Sequence, residues 1–403
     1  MRTDYGITRA PARLIFGPGQ RRALGRATAD LGKTVLICTD KRFAGLEVMS
    51  EILADMRAHG VEVRVFDATE AELPVEGVYA CVEQYRDFNP DVVIGLGGGS
   101  CLDLAKLVSL SLAHSGPLSR YYGEFKVPGP IRPMIAVPTT SGTGSEATPV
   151  AVLADPERVM KVGISSPELI PHTAICDPEL TLTCPKGLTA ISGADALAHA
   201  VESFAAVTRQ ADPEMAMNRV FVGKNTLSDH YALNAIRLIF THLEQAVSHG
   251  DDLEARAGVM LASTYAGLSF GSGGTSAAHA IQYPIGADTH TAHGLGVGIL
   301  LPYTMDFNQP AACAEYAEIG RVIGAAGEDA SDDDAARAAI AAIRDLFVRI
   351  GIPASLKAIG VKPERLESIA ELSLNAARLI ENNPRKLDRA AVLEILTHAM
   401  QAD

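Results

Sequence analysis

The stretch Asp91-Val-Val-Ile-Gly-Leu-Gly-Gly-Gly-Ser100 decides how the fold is read. Its Val-Val-Ile run is short and apolar throughout, as a strand buried on both faces requires, and it passes directly into a glycine turn. Cys101-Leu-Asp-Leu-Ala-Lys106 then reads as the first turns of a helix. A strand-turn-helix junction of this kind points backbone N–H groups and the positive end of a helix at an anion. Gly97, Gly98 and Gly99 allow the backbone to approach a pyrophosphate, while Ser100 either caps the helix or donates to a phosphate oxygen.

Upstream, short β-branched runs alternate with amphipathic stretches. Thr34 to Cys38 and Val61 to Phe66 read as strands, and Val48 to His59 and Val75 to Phe88 as helices. This is the rhythm of a parallel sheet with crossover helices. Beyond about Leu188 the pattern changes to long Ala- and Leu-rich helical periods over 194–206, 232–248 and 253–270, with three more segments between Ala311 and Ala402. Prolines in Asp177-Pro-Glu-Leu-Thr-Leu-Thr-Cys-Pro185 mark the boundary. The expectation is a Rossmann-like α/β domain with a parallel sheet over 1–185, then an all-α domain over 186–403, with the active site in the cleft between them. The acidic stretch Glu328 to Asp334 reads as a solvated loop leading into a helix from Ala335.

With 403 residues, 47% of them hydrophobic, the chain is long enough for two cores. A formal net charge of -13 argues against nucleic-acid binding, which needs a basic face for phosphates. The apolar runs are far short of the roughly 20 residues that cross a bilayer, so no membrane association is expected. The six cysteines are scattered, with no CxxC pair, and no charged-then-apolar leader opens the chain. Reduced thiols in a cytoplasmic enzyme are expected.

A second loop, Val137-Pro-Thr-Thr-Ser-Gly-Thr-Gly-Ser-Glu146, follows the strand Met134 to Val137 and concentrates hydroxyls and glycines suited to phosphate and ribose. At the end of the first strand, Thr39-Asp40-Lys41 places a carboxylate where an adenosine ribose would lie. That carboxylate would repel a 2′-phosphate, favouring NAD over NADP, although Asp40 serves equally well as a plain helix cap.

In Gly193-Ala-Asp-Ala-Leu-Ala-His-Ala200, Asp195 and His199 are four apart and project from one helical face. A second pair lies in the segment Ala278 to Gly294, with His279 expected near the end of one helix and His293 in the turn before the next, the chain doubling back at Pro284 and Gly286. Three imidazoles and one carboxylate suit Fe²⁺, Zn²⁺, Mn²⁺ or Co²⁺ far better than Ca²⁺ or Mg²⁺. His290 competes with His293 and could instead be a proton relay or an exposed histidine; His293-Gly294 before an apolar run better suits a ligand at a helix entry.

These motifs together resemble the iron-dependent, or group III, alcohol dehydrogenases over essentially the whole chain. The resemblance rests on Phe16-Gly-Pro-Gly19, Gly97 to Lys106, Pro138 to Glu146, Asp177-Pro-Glu-Leu180, Gly193 to Ser203 and the His279 to His293 segment, in the family's order. It implies one divalent metal, Fe²⁺ before Zn²⁺, on Asp195, His199, His279 and His293. It implies NAD bound by Gly97, Gly98, Gly99, Ser100 and Asp103, with Thr139, Thr140 and Ser145 along the cofactor, Lys161 near the nicotinamide ribose and Asp40 setting the preference for NAD. A small-molecule alcohol, aldehyde or hydroxy acid as substrate and a homodimer or larger homo-oligomer are also implied.

One departure stands out. Many members carry a histidine four residues after the third ligand, and this chain has Tyr283, so Tyr283, His290 or water would relay the proton. Tyr283 and Phe221 to Asp229 are similar to the branch holding hydroxyacid-oxoacid transhydrogenases and 4-hydroxybutyrate dehydrogenases. The expected activity is metal-dependent, NAD-linked interconversion of a small primary alcohol or hydroxy acid with its aldehyde or ketone. The alternatives are a transhydrogenase that retains NAD and a lyase like dehydroquinate synthase, whose sugar-phosphate substrate would need more Lys and Arg than these segments offer.

Overall fold

In the computed structural model, which describes residues 5–158 and 161–401, the sheet grows outward from the strand that carries the glycine turn. The first half runs β1 (Arg13–Phe16), α1 (Leu24–Ala29), β2 (Thr34–Cys38), α2 (Lys41–Ala44), α3 (Glu47–Ala58), β3 (Glu62–Phe66), α4 (Val75–Tyr85), β4 (Val92–Gly97) and α5 (Gly99–Ala113). It continues through β5 (Gly123–Glu124), β6 (Met134–Pro138), β7 (Val150–Leu153), β8 (Val162–Ser165) and β9 (Thr173–Cys176). Six strands form a wholly parallel sheet in the order β1-β9-β6-β4-β2-β3.

Alternation along β2 shows why both faces are covered. Val35 and Ile37 join a core with Leu24 of α1 and Ile52 of α3, while Leu36 and Cys38 join another with Val78 of α4 and Leu104 of α5. The register sets Gly97 opposite Pro138 and Cys38 opposite Gly95, so Thr39, Gly98 and Thr139 follow their strands at one edge of the sheet. That carboxyl edge is where open α/β sheets bind ligands. The short sheet β5-β8-β7 was not foreshadowed by the sequence pattern.

The second half is helical: α6 (Lys186–Phe204), α7 (Met215–Asn218), α8 (Thr226–Ser248), α9 (Leu253–Gly273), α10 (Ala277–Thr289) and α11 (His293–Val322). Then follow α12 (Asp332–Ile350), α13 (Leu366–Ser373), α14 (Ala377–Asn382) and α15 (Arg389–Gln401). The described residues within 9–183, with 217–220, make one compact unit, and those within 5–8, 184–216 and 221–401 the other.

Two local expectations are corrected. Helix α12 begins at Asp332, not Ala335, because Ser331 accepts from the Asp334 N–H and the three aspartates sit in the first turn, where the helix dipole favours carboxylates. Helix α10 does not break at Pro284 and Gly286 but runs on to Thr289, and the reversal falls at 290–292. Cys38, Cys81, Cys101, Cys176 and Cys184 are free and buried, and Cys313 is free and half-buried. Among the described residues no helix is long and apolar enough to cross a membrane.

Candidate metal centre and nucleotide turn

Asp195 and His199 lie one turn apart on α6, whose alternating alanines at 194, 196, 198 and 200 are fully buried. Small residues let neighbouring helices close in, and a Cβ at Gly193 would fall 2.2 Å from the Leu243 side chain. His279 lies in the first turn of α10, at its amino-terminal end, and His293 is the first residue of α11.

All four side chains converge. The ligating atoms of Asp195, His199 and His279 lie within 4.8 Å of one another. Asp195 Oδ1 stands 4.0 Å from His199 Nε2, 3.7 Å from His279 Nε2 and 3.9 Å from His293 Nε2. These separations are too long for hydrogen bonds. Donors placed ~2.1 Å from one ion in tetrahedral array would stand about 3.4 Å apart, so the spacing is that of a slightly expanded ion shell. Asp195 Oδ1 and His279 Nε2 are moreover buried with no hydrogen-bond partner, a costly arrangement unless a cation fills it. Three imidazoles and a carboxylate fit a divalent transition ion.

Glu202, one turn beyond His199 on α6, was not singled out in the sequence. It is buried, accepts from the Ser276 and Ala278 N–H groups at 2.9 and 2.6 Å, and meets His279 Nδ1 at 2.6 Å. A proton held on Nδ1 leaves the Nε2 lone pair facing Asp195, the tautomer that a ligand needs. Only its i+3 spacing from His199 could have flagged it.

The electrostatics follow from this packing. Burial alone would lower the His279 pKa, but the Glu202 carboxylate and Asp195 push it up to about 9 when no ion is present. Burial raises the Asp195 pKa, and His199 and the other imidazoles outweigh it, holding the carboxyl well below its ordinary value.

Packing fixes the rest. His199 stacks on Phe270 at 4.2 Å and on His279 at 4.6 Å. A Cβ at Gly294 would lie 2.6 Å from the Ile191 carbonyl oxygen and 3.0 Å from Asp195 Cβ, so glycine is what lets the start of α11 reach α6. The His293 side chain is 28% exposed against 7% or less for the other three, which makes it the solvent side of the cluster. Tyr283 is half-buried, its ring 6.0 Å from that of His293. His290 is exposed and holds the left-handed C-cap of α10, its N–H bonded to Gly286.

In the α/β unit the two glycine-bearing loops meet. A Cβ at Gly99 would lie 2.6 Å from Thr143 Cγ2, and one at Gly97, whose φ is +157°, would lie 2.5 Å from Cys101 Sγ. Gly98 has ordinary clearance, 3.6 Å to Thr140, and is itself the N-cap of α5, so Ser100 sits inside the first turn and is not the cap. Thr139 donates its N–H to Gly97, tying the loops at their base.

Asp103 is half-buried and accepts from Ser145 Oγ at 2.6 Å and the Val152 N–H at 2.9 Å. One turn on, the fully buried Lys106 ammonium donates to the carbonyls of Thr148 and Val150. Burial lowers its pKa to about 8, against the pull of Asp103 and Glu146. Asp40 caps α2 through the Phe43 N–H while its other oxygen lies 3.9 Å from Cys101 Sγ beside the glycine turn. Lys161 is ion-paired with Glu72.

Comparison with known proteins agrees with this geometry. The profile described as iron-containing alcohol dehydrogenase matches residues 11–178, and that of the Fe-containing alcohol dehydrogenase family C-terminal region matches 189–400. The sulfoacetaldehyde reductase of Bilophila wadsworthia is 33% identical over 97% of this chain and 98% of its own. A crystal structure of 1,3-propanediol oxidoreductase superposes with a TM-score of 0.92 at 32% identity, covering 98% of this chain and 100% of that one. Sulfoacetaldehyde reductase from Bifidobacterium kashiwanohense in complex with NAD⁺ does so at 0.84 and 28%, with full coverage of both. The chain belongs to the iron-containing alcohol dehydrogenase family and is an oxidoreductase of the iron-type alcohol dehydrogenase kind.

Proposed function

We propose that this enzyme interconverts a small primary alcohol or hydroxy acid with its aldehyde or ketone, using NAD and one divalent ion, Fe²⁺ by preference, held by Asp195, His199, His279 and His293. The observation that carries the reading is the single carboxylate oxygen, Asp195 Oδ1, facing three imidazole Nε2 atoms at 3.7–4.0 Å. When bound, the ion supplies Lewis acidity toward an alcohol oxygen, and the nicotinamide takes up or returns the hydride.

The chain's own residues prepare that chemistry. Glu202 keeps the His279 proton on Nδ1, and the Phe270 stack holds the His199 ring in place. Asp195 carries the negative charge that offsets the ion. On the solvent side, Tyr283 beside His293 would pass the alcohol proton to water, with the exposed His290 as the other candidate. For the nucleotide, the start of α5 at Gly98 and Gly99 offers N–H groups and the helix dipole to the pyrophosphate, Ser145 is held by Asp103, and Asp40 accepts from the adenosine ribose. Thr139, Thr140 and Lys161 complete the cofactor contacts. The NAD⁺ complex of the related sulfoacetaldehyde reductase supports this choice of nucleotide.

The test is elemental analysis of anaerobically purified protein, paired with NADH absorbance over a panel of small alcohols, aldehydes and 4-hydroxy acids. About one Fe or Zn per chain with chelator-sensitive turnover supports the reading. Metal-free protein after careful reconstitution, or turnover indifferent to chelators, overturns it.

A further inference from the structure

Gln282 lies three residues past His279 on α10, and Gly296 three residues past His293 on α11, so each stands one turn along its helix from a metal-centre histidine. Gln282 is 1% exposed, yet its Oε1 has no hydrogen-bond partner. An amide oxygen buried and unpaired works against stability, so folding alone gives no reason to keep it there.

Its surroundings do. A Cβ at Gly296 would lie 1.7 Å from Gln282 Oε1 and 2.4 Å from Cδ, and one at Gly286 would lie 3.0 Å from Nε2. The carboxamide therefore occupies the hollow that Gly296 leaves on α11, one turn from His293. The two helices are joined only through residues 290–292, a link too short to average out an error in their spacing.

We propose that Gln282 and Gly296 form a key and notch that sets the separation of α10 from α11 and so the spacing of His279 and His293: Gln282 is a positioning residue of the metal centre, acting by shape. Nothing else can occupy the notch while Gln282 fills it, and a side chain at Gly296 must expel the carboxamide. This inference rests on the metal assignment above.

The experiment is a double-variant cycle read by Co²⁺ affinity and the visible Co²⁺ ligand-field spectrum of the reconstituted full-length protein. G296A is expected to weaken Co²⁺ binding about ten- to a hundredfold, the range seen when the support of a ligand is disturbed. Q282A/G296A, in which the new methyl enters the vacated space, is expected to recover at least tenfold over G296A and regain the wild-type spectrum. Q282L fills the hollow without the unpaired oxygen and is expected to bind Co²⁺ within about threefold of wild type. A G296A protein with wild-type affinity, a double variant recovering less than tenfold, or a Q282L protein as weak as G296A overturns the proposal. If G296A does not fold, a folded, Co²⁺-binding double variant supports the key and notch, and an unfolded one overturns it. Failure of the wild-type protein to bind Co²⁺ would instead overturn the metal assignment itself.

Discussion

Replacing Gly294 with alanine should damage the metal centre more than the fold. The new Cβ would lie 2.6 Å from the Ile191 carbonyl oxygen, where ordinary contact needs 3.4 Å, so the start of α11 must retreat by about 0.8 Å. Ile191 lies within α6, so its carbonyl is held by the helix backbone and cannot swing away as a side chain would. Metal-ligand distances tolerate only about ±0.2 Å, so a shift of this size carries His293 out of bonding range of an ion seated on Asp195. The overpacking should cost ~1–3 kcal/mol of stability in the metal-free protein. Loss of one ligand's geometry should weaken metal binding at least about tenfold, or ~1.4 kcal/mol beyond that. Competition against a chromophoric chelator gives the affinity, and urea unfolding of the apo-protein gives the stability. A variant destabilised as expected that nevertheless binds metal like wild type would refute the argument, because the strain would then be relieved without moving His293.

Other consequences are equally direct. E202A leaves the Ser276 and Ala278 N–H groups and His279 Nδ1 without their acceptor and should lower metal affinity about ten- to a hundredfold, measured by the same competition; unchanged affinity would remove Glu202 from the site's support. D40N keeps an oxygen for the Phe43 N–H but loses the charge, so kcat/KM for NADP relative to NAD should rise while stability holds. D40A should shift the preference likewise and lose about 1 kcal/mol with the cap; an unmoved preference in both would mean that Asp40 is a cap alone. Lys106 titrates near 8 in the folded chain against 10.5 ordinarily, so the unfolded chain binds the extra proton between those values and wild-type stability should gain up to ~3 kcal/mol as pH rises from 8 to 10.5. K106M should lack that slope in urea unfolding; a shared slope refutes the assignment.

Much of this architecture was legible because its signals are local. The Val92–Gly97 strand and its glycine turn, the Asp195 and His199 pair and the helical periods after 188 are each set by neighbours within a few residues. What escaped depends on contacts between distant segments. Glu202 shows its role only beside Ser276 and His279, and the short β5-β8-β7 sheet has strands of four residues or fewer. Pro284 misled in the other direction: proline removes a backbone donor, yet the buried Ile281, Gln282 and Ile285 around it keep α10 helical to Thr289.

The pairing of β1 with β9 has a bearing on how the protein is made. Arg13 stands opposite Thr173, so β1, at the edge of the sheet, meets its neighbour β9 only after about 160 residues of further chain. During vectorial synthesis β2, β3 and β4 can associate as soon as they leave the ribosome, but β1 must wait, unpaired, until β9 follows it out. Tyr5 and Ile7, just before it, wait longer still, since the Tyr5 carbonyl accepts from the Thr226 N–H and the Ile7 N–H donates to the Asn225 side-chain oxygen. The segment from Tyr5 to Phe16 is thus translated well before its partners and secured late, which leaves it dependent on protection from premature association.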